Sequence, residues 1–439
     1  MPTFNTRARL SRLWASPFLR HNAVYFAGSM AIGLLNYLYY PVLGRLMPPG
    51  GFGEAQVLAV LLAQVTIFLN VFGLMTVNIV TNYRDPARRN QLILELEQLA
   101  LTLAGICLVA AALGGGWLQR FFHFDSAWPF IILMLAVLAT VPLTFRMSFL
   151  RGQQRFAAAS IVGVVGSAAD LVLAATFVRL GWGAAGAMWG LVAGQLAAYG
   201  VGVLYTRKHG LGETLHVAVR RLAAIRLVLP EARYAGLVFV CSLGMTALYS
   251  IDSVAVKHYF DARTAGLYAG IATIARIIFF LTASVAQVLL PSVKLAHRQR
   301  QNLQVLGKSF LLLLLIGGSA QLAFLAAPQL VVRLLMGSAY LPYAYLLPRL
   351  SLALFVMSVV NLLVMYHLAL RHRSTLVLVV AGFAAMSALL YANHGSLAAI
   401  VDCLAGGSLT TLALIGGWAV WSLARRTKWT PWREEAKEL

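Results

Sequence analysis

Three ionisable residues lie deep inside long apolar stretches, where charged side chains are costly. Arg276 stands about twelve residues into one apolar run, Asp252 lies about two turns from the end of the run before it, and Asp170 lies near the middle of a third. An ionisable group at such a depth faces a hydrated cavity or an oppositely charged partner rather than lipid. Two interpretations of Arg276 are therefore open: it binds an anion within a cavity, or it forms an ion pair with Asp252.

The two aspartates offer a second kind of chemistry. A carboxylate at membrane depth can take up a proton or bind a sodium ion, and so couple an ion gradient to transport. It can equally act as a fixed counter-ion that only holds helices together. Both interpretations are open for Asp252 and for Asp170.

Four further polar residues lie within or at the ends of apolar runs. Arg45 and Lys257 each end a run, so they either attract an anion at the outer mouth of a cavity or anchor the helix end at the interface. Asn36 and Asn78 lie within runs, where an amide can hydrogen-bond a sugar hydroxyl or a neighbouring helix.

The composition indicates what surrounds these residues. The chain has 439 residues, of which 60% are apolar and only 11% charged, whereas a soluble domain needs about a quarter charged residues. A net charge of +21 is typical of proteins that bind nucleic acid. The basic residues argue against nucleic acid because they fall in short gaps between apolar runs. The three cysteines and nine histidines have no redox or metal-binding spacing, so we expect neither a cofactor nor a metal.

The apolar runs predict about twelve transmembrane helices, since a helix needs about 20 apolar residues to cross a bilayer. The sequence therefore predicts an all-α polytopic membrane protein. The expected spans are residues 22–46, 55–80, 92–114, 128–150, 157–179, 184–206, 235–258, 264–292, 307–328, 345–370, 374–391 and 397–423.

The distribution of basic residues predicts the orientation. Cytoplasmic segments retain lysine and arginine. With the N-terminus inside, 26 of the 35 basic residues fall on the cytoplasmic side and seven on the other. We expect both termini in the cytoplasm.

The runs divide into two halves of six. We predict an N-terminal bundle at 1–206, an amphipathic cytoplasmic linker at 207–234, and a C-terminal bundle with a short cytoplasmic tail at 235–439. The first hairpin of each half shares a pattern: a helix ends in a basic residue, a short turn follows, and a glycine (Gly53 or Gly266) opens the next helix. This similarity indicates parallel repeats.

Four stretches carry a resemblance to a known family. They are YPVLGRLMPPGGFGEAQ, DSVAVKHYFDARTAGLYAG, LRGQQRF and GWGAAGAMWG. The chain resembles the Wzx-type oligosaccharide flippases of the MOP superfamily, relatives of the MATE exporters and of the lipid II flippase. The resemblance implies two six-helix bundles around a V-shaped cavity, alternating access, and an undecaprenyl-diphosphate-linked oligosaccharide as cargo. Glu54 departs from the neutral residue common at that point of the family.

The resemblance also assigns roles and surroundings. It implies that Arg276 binds the diphosphate, because the planar guanidinium matches the geometry of phosphate. It also implies that Arg45 binds the diphosphate at the outer opening of the cavity. It implies a bacterial inner-membrane location. The expected partners are the lipid-linked oligosaccharide and membrane lipid, and further a polysaccharide polymerase and chain-length proteins.

Two rival functions remain open. A MATE-like exporter of small cationic compounds would need a negatively charged pocket, whereas the spans here contain arginine and few carboxylates. A membrane enzyme, such as an O-antigen polymerase or ligase, would need a sizeable outer loop. The longest predicted outer gaps, around 115–127 and 329–344, leave no room for one, and the sequence has no nucleophile elbow or P-loop motif. We therefore expect a transporter rather than an enzyme.

Overall fold

The computed structural model describes residues 17–83, 85–207, 211, 222–293, 299–370, 372 and 374–424, and this part of the chain contains helices and no strand. Twelve long helices account for most of it. They are α1 (Pro17–Leu46), α2 (Pro49–Asn82), α3 (Pro86–Phe121), α4 (Trp128–Gly152), α5 (Phe156–Phe177), α6 (Gly183–Arg207), α7 (Leu222–Tyr259), α8 (Ala262–Ser292), α9 (Gln299–Ala326), α10 (Leu347–Ala369), α11 (Ser374–Ala392) and α12 (Leu397–Ala424).

The helices have the length and apolarity that a membrane requires. Ten helical segments in the described part of the chain are long and apolar enough to cross a bilayer. One of the ten is the 52-residue segment 156–207, which contains both α5 and α6. Counting these two helices separately gives eleven; α1, with 30 residues, has the length for one crossing but is not among the segments in the described part of the chain that meet both criteria. The predicted all-α polytopic membrane protein is confirmed.

The chain forms two compact units. Unit 1 contains residues 1–46, 68–120 and 125–230, and unit 2 contains residues 47–67, 121–124 and 231–439. Helix α2 therefore begins in unit 2 and ends in unit 1. Residues 208–210 and 212–221 of the predicted linker, 207–234, lie outside the described residues, and residues 222–234 form the start of α7.

Small residues let α5 and α6 pack closely in unit 1. A Cβ atom on Gly190 would overlap Ala174, and a Cβ atom on Gly194 would overlap Asp170. The glycine ladder of α6 thus brings two backbones together, as the small-xxx-small spacing predicts. A five-residue π turn, Val178–Trp182, joins the two helices. Gly181 there has a φ of +88°, which glycine adopts without the penalty that a Cβ imposes.

Helix α8 is the central helix of unit 2. It packs against α10 and α9, and most of its apolar length is buried inside the protein. The buried side chains include Tyr268, Ile271, Ile274 and Ile278. A polar side chain buried on such a helix needs hydrogen-bond partners, because burial removes it from water. Arg276 lies on this helix.

Candidate functional site

Arg276 and Asp252 form a buried ion pair inside unit 2. The Nη2 atom of Arg276 donates to Oδ1 of Asp252 at 2.6 Å. Only 3% of Arg276 and none of Asp252 is exposed. The structure thereby confirms the pairing that the sequence analysis left open, and it places the guanidinium away from lipid.

Neighbouring groups add further hydrogen bonds to the pair. The second oxygen of Asp252 accepts a 2.8 Å hydrogen bond from the Tyr268 hydroxyl. Arg276 also donates from Nη2 to the Ser253 hydroxyl at 2.9 Å and from Nε to the Tyr249 carbonyl at 3.3 Å. Each carboxylate oxygen of Asp252 therefore accepts a hydrogen bond, one from Arg276 and one from Tyr268.

Arg276 nevertheless keeps donors to spare. Its Nη1 atom has no hydrogen-bond partner among the described residues. A guanidinium has five N–H donors, and the two on Nη1 are the ones not used. A buried donor without an acceptor is costly, of the order of 1–3 kcal/mol. The pair therefore offers a place where an anionic oxygen would be stabilised.

Lys257 is buried near the end of α7, where the sequence analysis left open an interfacial anchor. Only 1% of it is exposed. Its Nζ atom lies 3.6 Å from the Glu54 carboxylate, and 4.9 Å from the ring centroid of Phe124. Glu54, the residue at which the sequence departs from the family pattern, is thus the counter-ion of Lys257.

The two repeat glycines meet beside this ion pair. Gly53 is the fifth residue of α2 and Gly266 the fifth residue of α8. A Cβ atom on Gly53 would lie 2.8 Å from the Cα atom of Gly266, and one on Gly266 would overlap the carbonyl of Pro49. Only glycine at both positions lets the two backbones approach so closely within unit 2.

Asp170 lies in unit 1, on α5. It is buried, and its Oδ2 atom is 3.5 Å from the Nε2 atom of Gln195. Its Oδ1 atom has no hydrogen-bond partner among the described residues. The absence of a side chain at Gly194 leaves the space that the carboxylate occupies. Asp170 thus has an oxygen that could bind a proton or a cation, whereas both oxygens of Asp252 accept hydrogen bonds.

The remaining candidates have exposed side chains. Arg45, near the end of α1, and Asn36, in its middle, are exposed, and both belong to unit 1. Asn78 of α2 is also exposed, and its Oδ1 atom accepts a 2.6 Å hydrogen bond from Asn82. Arg276, Asp252 and Lys257 all belong to unit 2. The roles of the three exposed residues stay predictions.

Unit 1 contains a buried charged region that was not predicted from the sequence. Arg146 lies about one turn from the cytoplasmic end of the fourth predicted span, 128–150, and from its place in the sequence we expect its side chain to extend to the interface, but only 1% of it is exposed. That prediction is wrong. Its guanidinium carbon lies 5.8 Å from the Tyr199 ring centroid, a cation–π distance. Glu97 of α3 is also buried and is electrostatically coupled to Arg146. Its position within the third predicted span was the signal that could have found it.

The comparisons with known proteins agree with this architecture. A family model described as "Polysaccharide biosynthesis protein" matches residues 18–295. The chain belongs to this polysaccharide biosynthesis family. The predicted resemblance to flippases of the MOP superfamily is confirmed. No curated protein matches the chain.

Solved structures show that this member of the polysaccharide biosynthesis family has the MOP-superfamily fold. An inward-facing multidrug resistance MATE family transporter of the MOP superfamily matches with a TM-score of 0.70 and 14% identity, over 93% of this chain and 99% of that one. The lipid II flippase MurJ, in an inward closed conformation, matches with a TM-score of 0.66 and 11% identity, over 90% of this chain and 87% of that one. The MATE multidrug transporter DinF-BH matches with a TM-score of 0.63 and 14% identity, over 92% of this chain and 95% of that one. The chain is a membrane transporter of this family.

Proposed function

We propose that this chain is a flippase that moves an undecaprenyl-diphosphate-linked oligosaccharide from the cytoplasmic to the periplasmic leaflet by alternating access. The observation that supports this most directly is the guanidinium of Arg276, which is buried and keeps two N–H donors after pairing with Asp252. A diphosphate supplies the oxygens that such donors need, and a hydrogen bond from a guanidinium N–H group to a phosphate oxygen is charge-assisted. The family match supports a saccharide as the rest of the cargo.

The same observation weighs against export of cations. A positively charged compound would gain nothing from the spare donors of Arg276, and both oxygens of Asp252 already accept hydrogen bonds. The carboxylate of Asp170 would suit an exporter of cations, because its Oδ1 atom has no hydrogen-bond partner among the described residues. In our proposal Asp170 instead couples transport to an ion gradient.

The proposal places the chain in the bacterial inner membrane with both termini in the cytoplasm. Arg45 and Lys257 bind the diphosphate at the outer side, and Asn36 and Asn78 contact sugar hydroxyls. Membrane lipid surrounds the protein, and a polysaccharide polymerase and chain-length proteins use the flipped product.

Complementation tests the proposed function. We expect the wild-type chain to restore surface polysaccharide in a host that lacks its own oligosaccharide flippase, and Arg276→Ala and Arg276→Lys to fail. Lysine keeps the charge but cannot bind two oxygens in one plane. The same strains are tested for susceptibility to cationic drugs. A wild-type chain that lowers drug susceptibility without restoring polysaccharide would favour the exporter and overturn the flippase.

A further inference from the structure

A short helix, Pro328–Leu335, connects α9 to α10. Both flanking helices belong to segments that are long and apolar enough to cross a bilayer. The short helix therefore lies at the membrane surface where α9 ends and α10 begins. Its sequence, PQLVVRLL, has apolar residues on more than one face, so its exposed face indicates what surrounds the helix there.

The opposite face of the short helix is fixed to unit 2. Val332 is fully buried, and Met336, one turn further along, is almost fully buried. The chain continues into a 3₁₀ segment, Ser338–Leu346, which packs against α8. Tyr340 of this segment is buried against Gly270 of α8, where a Cβ atom would overlap the tyrosine ring. The short helix thus has a defined position on the protein, and its exposed side chains point in a defined direction.

The exposed face carries two adjacent stripes of different polarity. Leu330 and Leu334 are 57% and 62% exposed. Gln329 and Arg333, each one residue earlier, are exposed too. Residues four apart lie on the same side of a helix, so an apolar stripe runs beside a polar one. This arrangement is typical of a helix that lies in the plane of a bilayer surface, with its apolar side chains among the acyl chains and its cation among the headgroups.

The guanidinium of Arg333 is the charged group of the polar stripe. Among the described residues, no ion pair includes it. It lies in the last turn of the short helix, where the helix dipole favours a cation. A lipid phosphate at headgroup depth would accept charge-assisted hydrogen bonds from this guanidinium.

A tyrosine of the same connection also fits a membrane interface. Tyr345, in the 3₁₀ segment, is 62% exposed, and its ring stacks on that of Tyr343 with the centroids 6.4 Å apart. Tyrosine is enriched at headgroup level because its ring is apolar and its hydroxyl is polar. The 3₁₀ segment and the short helix therefore indicate the same surroundings.

We propose that the connection 328–345 is a docking surface for anionic phospholipid. Leu330 and Leu334 insert among the acyl chains of the adjoining leaflet, and the guanidinium of Arg333 binds the phosphate of a lipid headgroup. The occupant is a bilayer lipid rather than free phosphate, because the apolar stripe beside the cation is complementary to a molecule that has acyl chains. This inference goes beyond the proposed function and does not depend on the nature of the cargo.

Fluorescence quenching in nanodiscs tests the position of the short helix. The full-length protein, with its three native cysteines replaced, carries a bimane label on one introduced cysteine, and lipids with a nitroxide on an acyl chain quench the label on contact. We expect strong quenching for Leu330→Cys and Leu334→Cys and weaker quenching for Gln329→Cys, on the polar stripe. Asp125→Cys, exposed between α3 and α4, is the control in water and should be quenched least.

The role of Arg333 is tested with the label on Leu334→Cys. In nanodiscs of phosphatidylcholine, nitroxide-labelled phosphatidylglycerol should reach the same quenching at a roughly fivefold lower mole fraction than nitroxide-labelled phosphatidylcholine, because a basic residue enriches anionic lipid beside it. Arg333→Gln should abolish this preference. Arg349→Gln is the matched control, because Arg349 is exposed and lies 3.9 Å from Asp402, and it should keep the preference. Inorganic phosphate in solution should not reduce it.

Each part of the inference has a result that overturns it. Equal quenching of Leu334→Cys and Asp125→Cys would place the short helix in water and overturn the docking surface. Quenching without a preference for phosphatidylglycerol, or a preference that persists in Arg333→Gln, would overturn the contact with phosphate. A preference that inorganic phosphate removes would identify the ligand as free phosphate. The flippase is tested separately by complementation, so it stands or fails independently of these results.

Discussion

The guanidinium of Arg276 and the carboxylate of Asp252, 24 residues apart in the chain, neutralise each other across a 2.6 Å hydrogen bond. The pair makes a clear prediction for stability. Arg276→Ala leaves a buried carboxylate without its cation and should lower the free energy of unfolding by about 3–5 kcal/mol. Adding Asp252→Asn removes that charge and should recover most of the loss, which thermal unfolding of the purified protein would measure.

Transport by the same double variant separates the two roles of Arg276. We expect Arg276→Ala/Asp252→Asn to reach the membrane in near-normal amounts and yet to fail in complementation, because the spare donors on Nη1 are gone. Restored transport in the double variant would show that Arg276 serves the fold alone.

Asp170→Asn should uncouple transport from its ion gradient. The amide is close in size to the carboxylate, so the contact with Gly194 is preserved, but it can neither take up a proton nor neutralise a cation. In vesicles with an imposed proton or sodium gradient, the wild type should respond and the variant should not. The exposed Asp402 gives the control variant, Asp402→Asn, which should keep the response. A gradient response that persists in Asp170→Asn would exclude Asp170 as the coupling residue.

Gly266→Ala should destabilise unit 2. The added methyl group would overlap the carbonyl of Pro49, so α2 and α8 must separate, at a cost of about 1–3 kcal/mol. Gly307 of α9 is the matched control, because nothing lies within 4 Å of a Cβ atom there. Gly307→Ala should raise stability by up to about 1 kcal/mol. The two melting temperatures should therefore move in opposite directions.

Asp261 should make the stability of α8 depend on pH. It caps the helix by accepting a 3.0 Å hydrogen bond from the Thr264 amide, and the hydrogen bonds from Thr264 lower the pKa of Asp261. A lowered pKa in the folded state means that the stabilisation is present at neutral pH and is lost as the pH falls through that pKa.

The matched variants measure this effect. Asp261→Ala should cost about 1 kcal/mol at pH 7, and the difference from the wild type should shrink below about pH 4. Asp261→Asn keeps an uncharged cap, so its stability relative to Asp261→Ala should not change with pH. A wild-type advantage that stays constant down to about pH 3, below the ordinary pKa of an aspartate, would contradict the role of the charge.

The predicted orientation can be tested by cysteine labelling. In a variant whose three native cysteines are replaced, Asp125→Cys between α3 and α4 should react with a membrane-impermeant maleimide in intact spheroplasts. Gln154→Cys, in the turn between α4 and α5, should react only after permeabilisation. Both positions are exposed. The reverse pattern would place both termini outside.

The helices could be predicted from the sequence because a membrane imposes one strong requirement. A span must hide its backbone and present about 20 apolar residues, and the predicted range 128–150 accordingly differs little from α4, Trp128–Gly152. The predicted spans 345–370 and 374–391, which only three residues separate, likewise correspond to two helices, α10 and α11. The repeat glycines were found because each follows a basic residue and a short turn in the first hairpin of its half.

The partners of the buried charges could not be predicted to the same extent. A pair between Arg276 and Asp252 could be considered from the sequence because the two residues lie on consecutive predicted helices, although anion binding by Arg276 was equally open. Glu54 and Lys257 are far apart in the sequence, and only the packing of α2 against α7 brings them together. Arg146 was misjudged because its distance from the helix end allowed it to reach the interface, whereas tertiary packing buried it.

The contact of Gly53 with Gly266 joins α2 to α8 without ordering any side chain. No rotamer is fixed when two bare backbones meet, so the side-chain entropy that an ordinary interface loses on closing, of the order of 1 kcal/mol for each long side chain, is not lost here. Neither helix needs to wait for a side chain to change its conformation before the other approaches. A hinge or a seal built on these two residues would present an identical surface after every cycle.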